Sequence, residues 1–407
     1  MGSSRRTFMV NGAALVALGA SAPALAQSSL HQRLICLDTH LDTPASLARP
    51  GWDVMARHSF DTDLTQVDVP RMEAGGLDGG FWAIYTPQGP LTPSGMMAAR
   101  DAALLRAAEI REMVAAHPQT FALAFTADDA ARIAAKKKII VYQSIENSYP
   151  LGDDVTLLRS FYRLGVRLVG PVHFKNNQFG DSATDTPQWK GLSPKGRELA
   201  ALANDLGMML DASHASDDVF DQMAEMSRSP IICSHSGCRA VFDHPRNLDD
   251  ARIKRLGAIG GTIQINSYNG YLIAEPPNPD RAKARGALFA KLETLDTMTP
   301  KEAAAAVREV AAGMTALDKQ YPVPKASFET FMAHVTHALD LVGPEHVGIG
   351  CDWDGGGGVT GMEDVAALPR VTERLVKLGY TESQLAGFWG GNVLRVLGKA
   401  QAARKEG

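Results

Sequence analysis

Several side chains of metal-binding type fall at the ends of short apolar runs, and that placement decides which chemistry the chain can do. In Asp38-Thr39-His40-Leu41-Asp42 an imidazole and a carboxylate stand two residues apart. Alternate side chains of an extended segment point the same way, so His40 and Asp42 can bind one ion together. Glu146, His214, His235 and Asp352 each follow another predicted strand. Imidazole and carboxylate with no well-placed thiolate suit Zn²⁺ or a similar divalent ion with open positions, the catalytic rather than the structural pattern. Five or six such groups exceed what one tetrahedral ion uses, and two ions bridged by a carboxylate and a hydroxide are the economical reading. Any one histidine here reads by itself as a satisfied loop residue. Four of the eleven, His40, His173, His214 and His235, lying just after predicted strands make a pattern.

The elements that must position these groups are strands and helices in alternation. β-Branched apolar runs predict strands at Leu34 to Leu37, Gly80 to Tyr85, Lys138 to Ser144, Val166 to Val172, Met208 to Leu210, Ile231 to Cys233, Thr262 to Ile265 and Val347 to Gly350. Eight is the number that closes a parallel barrel, whose catalytic groups sit at the carboxyl ends of its strands. Ser193-Pro194 opens a helix that stops at Gly207, Thr299-Pro300 opens another through Tyr321, and Thr381 caps the last. The expected fold class is α/β, a (β/α)8 TIM barrel with a helical insertion after strand seven at about residues 271–327. Such insertions lie at the mouth of a barrel and shape its pocket.

Composition narrows the function classes. With 407 residues, 45% hydrophobic and 21% charged, the chain buries a large core and is neither fibrous nor disordered. Its formal net charge is −4, which argues against a nucleic-acid partner. Residues 1–26 read as an export signal: Ser4-Arg5-Arg6-Thr7-Phe8 is a twin-arginine start, Gly12 to Ala20 a short apolar core, and Ala24-Leu25-Ala26 a small-x-small cleavage site. An ordinary secretory leader with a chance arginine pair is the other reading, and both predict a periplasmic or otherwise exported protein with no membrane span. Removing the leader takes Arg5 and Arg6, leaving 39 basic against 45 acidic residues, a net −6. Residues 27–407 are expected to form the catalytic domain. Cys36, Cys233, Cys238 and Cys351 are too few for a disulfide framework and read as small buried residues.

The ordered motifs Asp38 to Pro44, Asp211-Ala212-Ser213-His214, Ser234-His235-Ser236, Asp243 to Asn247 and Gly350 to Gly355 resemble the signatures of the membrane (renal-type) dipeptidase family of zinc metallopeptidases. Leu164 to Arg167 before His173 and the closing Gly391 to Arg395 extend the likeness over nearly the whole chain. The resemblance implies a dinuclear zinc barrel, usually a homodimer, that cleaves dipeptides, including those with a C-terminal D-residue. It implies that His40 and Asp42 bind one zinc, His214 and His235 the other, and that Glu146 bridges them. His173 matches the group that contacts the scissile carbonyl, Arg246 the grip on the substrate carboxylate, Tyr268 a pocket aromatic and Asp352 the acid–base residue. Asn147-Ser148 after Glu146, where glycines are common, and Ser267 before Tyr268, where an aromatic is common, depart from the family pattern, as does the insertion.

Competing readings follow from the same residues. The metals would also serve a hydrolase of lactones, β-lactams or N-acyl amino acids, and a barrel can bind peptides without cleaving them. Arg246 can instead pair with Asp249 or Asp250. Gly355 to Gly358 reads as a flexible loop at the mouth, His334 and His337 as packing or surface residues, and Lys136 to Lys138 as a solvated helix end.

Overall fold

The computed structural model describes residues 30–405, so the predicted export signal lies outside the described residues. Nine strands form among the described residues, all paired in parallel: β1 Leu37–Leu41, β2 Gly79–Ile84, β3 Phe121–Leu123, β4 Ile139–Ile145, β5 Val166–Val169, β6 Met209–Leu210, β7 Ile232–Ser236, β8 Thr262–Ile265 and β9 Val347–Ile349. One sheet runs β1-β2-β4-β5-β6 with β3 beside β4, and a second runs β7-β8-β9. Isolated parallel bridges, Asp211 with Ile232 and Leu41 with Trp353, join the edges of the two sheets.

All eight predicted strands are present, Thr262–Ile265 with its predicted bounds and the others with shifted ends, and one was missed. β3 pairs with Ile139 to Val141 of β4, while β5 pairs with Gln143 to Ile145. Because β2 holds the other edge of β4 throughout, β3 and β5 share one edge end to end. A three-residue strand with two half-buried positions has too little alternation to be read from sequence. The first strand lies three residues beyond its predicted start and includes His40; the sixth predicted strand extends to Ser236 and includes His235. Both extensions follow an irregular register, between Asp38 and Leu41 and between Cys233 and Ser236. A bulge of this kind re-aims a side chain at the end of a strand.

The strands other than β3 are buried along their whole length, as in parallel sheets covered on both faces, with apolar residues packing the core and buried polar residues gathered mostly toward their carboxyl ends. Phe81, Ile140, Tyr142, Leu168, Met209 and Ile232 pack on one face with Val393, Val396 and Leu397 of the last helix, Asn392–Ala402. Trp82, Ile84, Val141 and Val166 face the opposite way into the larger core. The helix signals sit where predicted: Ser193 accepts from the Gly196 amide ahead of Pro194–Leu206, and Gly207 ends that helix at φ +74°. Thr299 and Glu302 close a reciprocal capping box on Pro300–Gln320, but Thr381, expected to cap the last helix, instead caps Glu382–Ala386 ahead of it. All four cysteines are free and buried.

Asp78, between the first two strands, makes one stability prediction. Its carboxylate accepts the Cys36 amide at 2.8 Å, and burial pushes its pKa from 3.8 to about 6 against that bond. A raised folded-state pKa means the native protein holds this proton more tightly than the unfolded chain, so the group destabilises as pH rises from about 4 to about 6. Asparagine keeps the acceptor without the charge. Asp78→Asn is expected to stabilise by about 3 kcal/mol at pH 7, one pKa unit being worth about 1.4 kcal/mol, with the gain vanishing below pH 4. Urea midpoints at the two pH values check it, and equal gains at both would remove the charge as the cause.

Candidate metal centre

The strand ends bring their polar residues to one place. Oε1 of Glu146, just past β4, lies 3.0 Å from His214 Nε2, 3.4 Å from His173 Nε2, 3.5 Å from His235 Nε2 and 3.6 Å from His40 Nε2. His40 Nε2 is also 3.5 Å from Asp42 Oδ2. Three groups of candidate metal donors emerge among the described residues: His40, Glu146 and His235; Glu146, His173 and His214; His40, Asp42 and Asp352. Every sequence-predicted metal-type residue therefore belongs to one connected cluster. His173, expected to touch substrate and not metal, stands as near to Glu146 as the other imidazoles do.

The spacing fits a metal better than it fits hydrogen bonds. Two donors on one tetrahedral ion, each at about 2.0–2.1 Å, are about 3.3 Å apart, close to the separations found. His40 Nε2 is buried with no hydrogen-bond partner, a costly arrangement unless a cation takes its lone pair. His235 is oriented for that purpose. Its Nδ1 lies 2.8 Å from Ser234 Oγ, which donates to Asp211 Oδ2 at 2.5 Å. With the ring proton committed to Nδ1, Nε2 offers its lone pair to the site. The Asp38 carboxylate accepts the His40 and Cys351 amides and ties the end of β1 to the end of β9.

Backbone strain accompanies the cluster. His214 and Asp352 both adopt left-handed φ of +65°, as does Asp354 at +66°. Side chains with a Cβ avoid this region unless the surroundings hold them there. Asp352 receives a hydrogen bond from Asn266 Nδ2 at 3.2 Å, and Asp354 from Thr43 and the Gln66 amide.

Burial and the local charges set the protonation. Burial alone would lower His40, but the Glu146 and Asp42 carboxylates outweigh it and hold the ring at about 10. Burial, with Arg246 and His40 adding to it, lowers His173 to about 3, and burial holds His214 and His235 well below the usual range. Burial pushes the Asp352 carboxyl up; His40 opposes the rise and Asp42 adds to it.

Arg246 is 2% exposed. Its Nη2 donates to the His235 carbonyl at 3.0 Å and its Nη1 to Ser236 Oγ at 3.3 Å, and the guanidinium lies 5.1 Å from the centre of the Tyr271 ring. The alternative partners are taken: Asp249 pairs with Arg252 and Arg239, and Asp250 with His337. Among the described residues no carboxylate lies within ion-pair distance of Arg246. The site thus joins a metal-type cluster to a buried cation that makes no direct ion pair and acts on the Glu146 and Asp352 carboxylates at longer range.

Comparison with known proteins decides the family. Residues 25–407 match the family described as membrane dipeptidase, peptidase family M19. The chain belongs to the membrane dipeptidase family. It is a metallo-dipeptidase, a hydrolase of a metal-dependent family. Over 371 residues it is 26% identical to an uncharacterised dipeptidase of Schizosaccharomyces pombe, covering 88% of this chain and 79% of that one. The crystal structure of the probable dipeptidase PvdM from Pseudomonas aeruginosa superposes with a TM-score of 0.78 at 29% identity, covering 93% of this chain and 98% of that one. A metallopeptidase from Rhodobacter sphaeroides, solved with a phosphinate mimic of the dipeptide L-Ala-D-Ala, shares the fold at a TM-score of 0.70 and 24% identity, covering 90% and 99%.

Within this dipeptidase, Tyr268 stacks obliquely on Tyr271 at 4.5 Å, and Tyr271 also meets His244 at 5.0 Å. Phe174 lies 3.9 Å from the His173 ring and Tyr85 lies 5.0 Å from it. Sequence reasoning missed Tyr271, Tyr85 and Asn266. Asn266 directly follows β8, so the rule that found the metal-type residues applies to it as well. The departures from the family pattern are structural: Asn147 Oδ1 accepts from Asn177 and the Tyr149 amide, Ser148 bonds the Gly170 carbonyl, and Ser267 bonds the Cys351 carbonyl and the Gly358 amide. Close neighbours surround the glycine run. Cβ atoms there would lie 2.1 Å from Asp42 Oδ2 at Gly355 and 2.6 Å from the Tyr268 ring at Gly356, so these glycines admit close approach. His334 is buried and accepts the Cys238 amide, a packing role.

Proposed function

We propose that the chain is an exported, zinc-dependent dipeptidase that holds two Zn²⁺ ions and cleaves dipeptides, including those with a C-terminal D-residue. The observation that carries it is the convergence of four imidazole nitrogens on one Glu146 oxygen beside the unpaired guanidinium of Arg246. The strands other than β3 are read as one closed (β/α)8 barrel, with the two isolated bridges as its seams and residues 271–327 as an insertion after β8, the seventh barrel strand. Thr39 Oγ1 supports that closure, lying 2.5 Å from the Ser234 carbonyl and 3.1 Å from the Ile349 carbonyl, across from β1.

In this reading His40 and Asp42 would hold one ion, His214 and His235 the other, with Glu146 as a ligand within reach of both sets. Ions held there would supply Lewis acidity, lowering the pKa of a water toward neutrality and polarising the scissile carbonyl. Asp352, held by Asn266, takes the proton of the attacking water and delivers it to the leaving amine, so the amine departs neutral. His173 donates a hydrogen bond to the carbonyl oxygen as its negative charge develops. Arg246 binds the terminal carboxylate and sets the distance from that anchor to the scissile bond, which favours a dipeptide over a longer chain. Tyr268 walls the pocket. The Rhodobacter sphaeroides peptidase bound to its L-Ala-D-Ala mimic supports acceptance of a D-residue. Residues 1–26 are read as the export signal, directing the enzyme to the periplasm through the twin-arginine route, and the enzyme as a homodimer.

Metal analysis of the mature protein is expected to give two zinc ions per chain. The loaded enzyme is expected to release amino acids from free L,L and L,D dipeptides and to leave N-acetylated copies intact. Release only from N-acyl amino acids or lactones would overturn this reading. A second prediction tests the glycine loop. Gly355→Ala places a methyl against Asp42 and Asp352 and is expected to weaken metal affinity about 10- to 100-fold, the usual cost of disturbing groups that support metal ligands. Zinc titration against a competing chelator checks it, and an unchanged affinity would show that the loop yields.

A further inference from the structure

We infer that the enzyme selects dipeptides whose C-terminal residue carries a large apolar side chain, aromatic above all, and that Phe242 and Ile273 set this preference. The inference rests on the dipeptidase reading above and deepens it. A cavity of about 500 Å³ adjoins the metal-type cluster, with Phe174, Phe242, Tyr268, Tyr271 and Ile273 among its walls and Glu275 as its only charged lining residue. It is bounded on one side by Phe174, against the rings of His173 and His214. On another side stands Tyr271, beneath the Arg246 guanidinium.

These two boundaries fix which part of a substrate enters. In a dipeptide the second α-carbon lies between the scissile nitrogen and the terminal carboxylate. With the carbonyl at His173 and the carboxylate at Arg246, the side chain on that carbon leaves from between the two anchors, where the cavity opens. The Phe174 ring is 47% exposed, and covering such a ring with an apolar side chain removes both surfaces from water. The volume exceeds what any single side chain fills, so indole and phenyl groups enter without strain. His244 lies against the Phe242 and Tyr271 rings, its pKa lowered by burial, so the aromatic wall carries one neutral imidazole. Glu275 is exposed and held by Asn269 Nδ2 at 2.5 Å, and its charge disfavours an acidic side chain nearby.

The test compares kcat/KM of the zinc-loaded enzyme for Ala-Phe, Ala-Trp, Ala-Leu, Ala-Gly and Ala-Asp, with Phe-Ala and Gly-Ala as the reversed series. Ala-Phe and Ala-Trp are expected to exceed Ala-Gly by at least about 10-fold, the scale on which apolar pockets discriminate, with Ala-Asp lowest. Phe242→Ala and, as an independent variant, Ile273→Ala are expected to draw the Ala-Phe to Ala-Gly ratio toward one. A flat C-terminal series, a preference for Ala-Gly, or selectivity that follows the N-terminal residue would overturn the inference while leaving the dipeptidase reading intact. Failure to cleave any free dipeptide would overturn the dipeptidase reading itself and the inference with it.

Discussion

Asp352→Asn is expected to retain both metals and to lose about 10²- to 10⁴-fold in kcat, the range supplied by a positioned acid–base group. Asparagine is the informative replacement because the backbone at this position is left-handed, φ +65°. Asparagine and aspartate tolerate that conformation better than other residues with a Cβ. Its side-chain oxygen also keeps the hydrogen bond from Asn266 Nδ2. What it cannot do is accept a proton from water and return it to an amine. Metal content of the purified variant separates the two explanations for a slow enzyme: two ions with little turnover supports the relay. One missing ion, with full turnover in the fraction that keeps both, would show that Asp352 serves the metal and not the proton.

Arg246→Met is expected to raise KM for dipeptides with a smaller change in kcat, costing about 30- to 5,000-fold in kcat/KM. That range corresponds to the about 2–5 kcal/mol lost when one member of a buried charge pair is truncated. The substrate carboxylate would lose a planar, two-pronged donor that lysine does not replace. Dipeptide amides supply the control. The parent enzyme is expected to discriminate strongly against them, and the variant to treat acid and amide nearly alike. Stability provides a second reading of the same change. Arg246 is 2% exposed and makes no direct ion pair among the described residues, the Glu146 and Asp352 carboxylates acting on it only at longer range, so its buried charge carries a desolvation cost in the free enzyme. Methionine fills similar space without that charge, so the variant is expected to unfold at no lower temperature than the parent, despite losing bonds to His235 and Ser236. A lowered Tm together with lost acid–amide discrimination only in proportion to unfolding would assign Arg246 a structural role.

The strand pattern, the helix caps and the candidate residues were legible because each depends on a few neighbouring positions. Short apolar, β-branched runs locate β2, β4 and β8, and a Ser or Thr ahead of proline locates the helices beginning at Pro194 and Pro300. Since parallel strands present their carboxyl ends to one face, a polar residue at such an end carries its own address. That is why His40, Glu146, His214, His235 and Asp352 were identifiable without coordinates. The same local rule passes over β3, whose three residues are held only by the edge of β4.

By itself the sequence determined the order of strands and helices and the chemical types brought to their ends. Those follow from local periodicity and side-chain character, which need no knowledge of the rest of the chain. Tertiary structure alone decided how the groups meet. The irregular registers beside His40 and His235, the left-handed backbone at His214 and Asp352, and the approach of four histidines to one oxygen of Glu146 depend on contacts between residues up to several hundred positions apart. So does the state of Arg246: aspartates stand three and four residues away in sequence, yet other cations and His337 engage them. Spacing along a chain limits which groups can pair, but packing selects the pairs, and here it left this guanidinium facing the site.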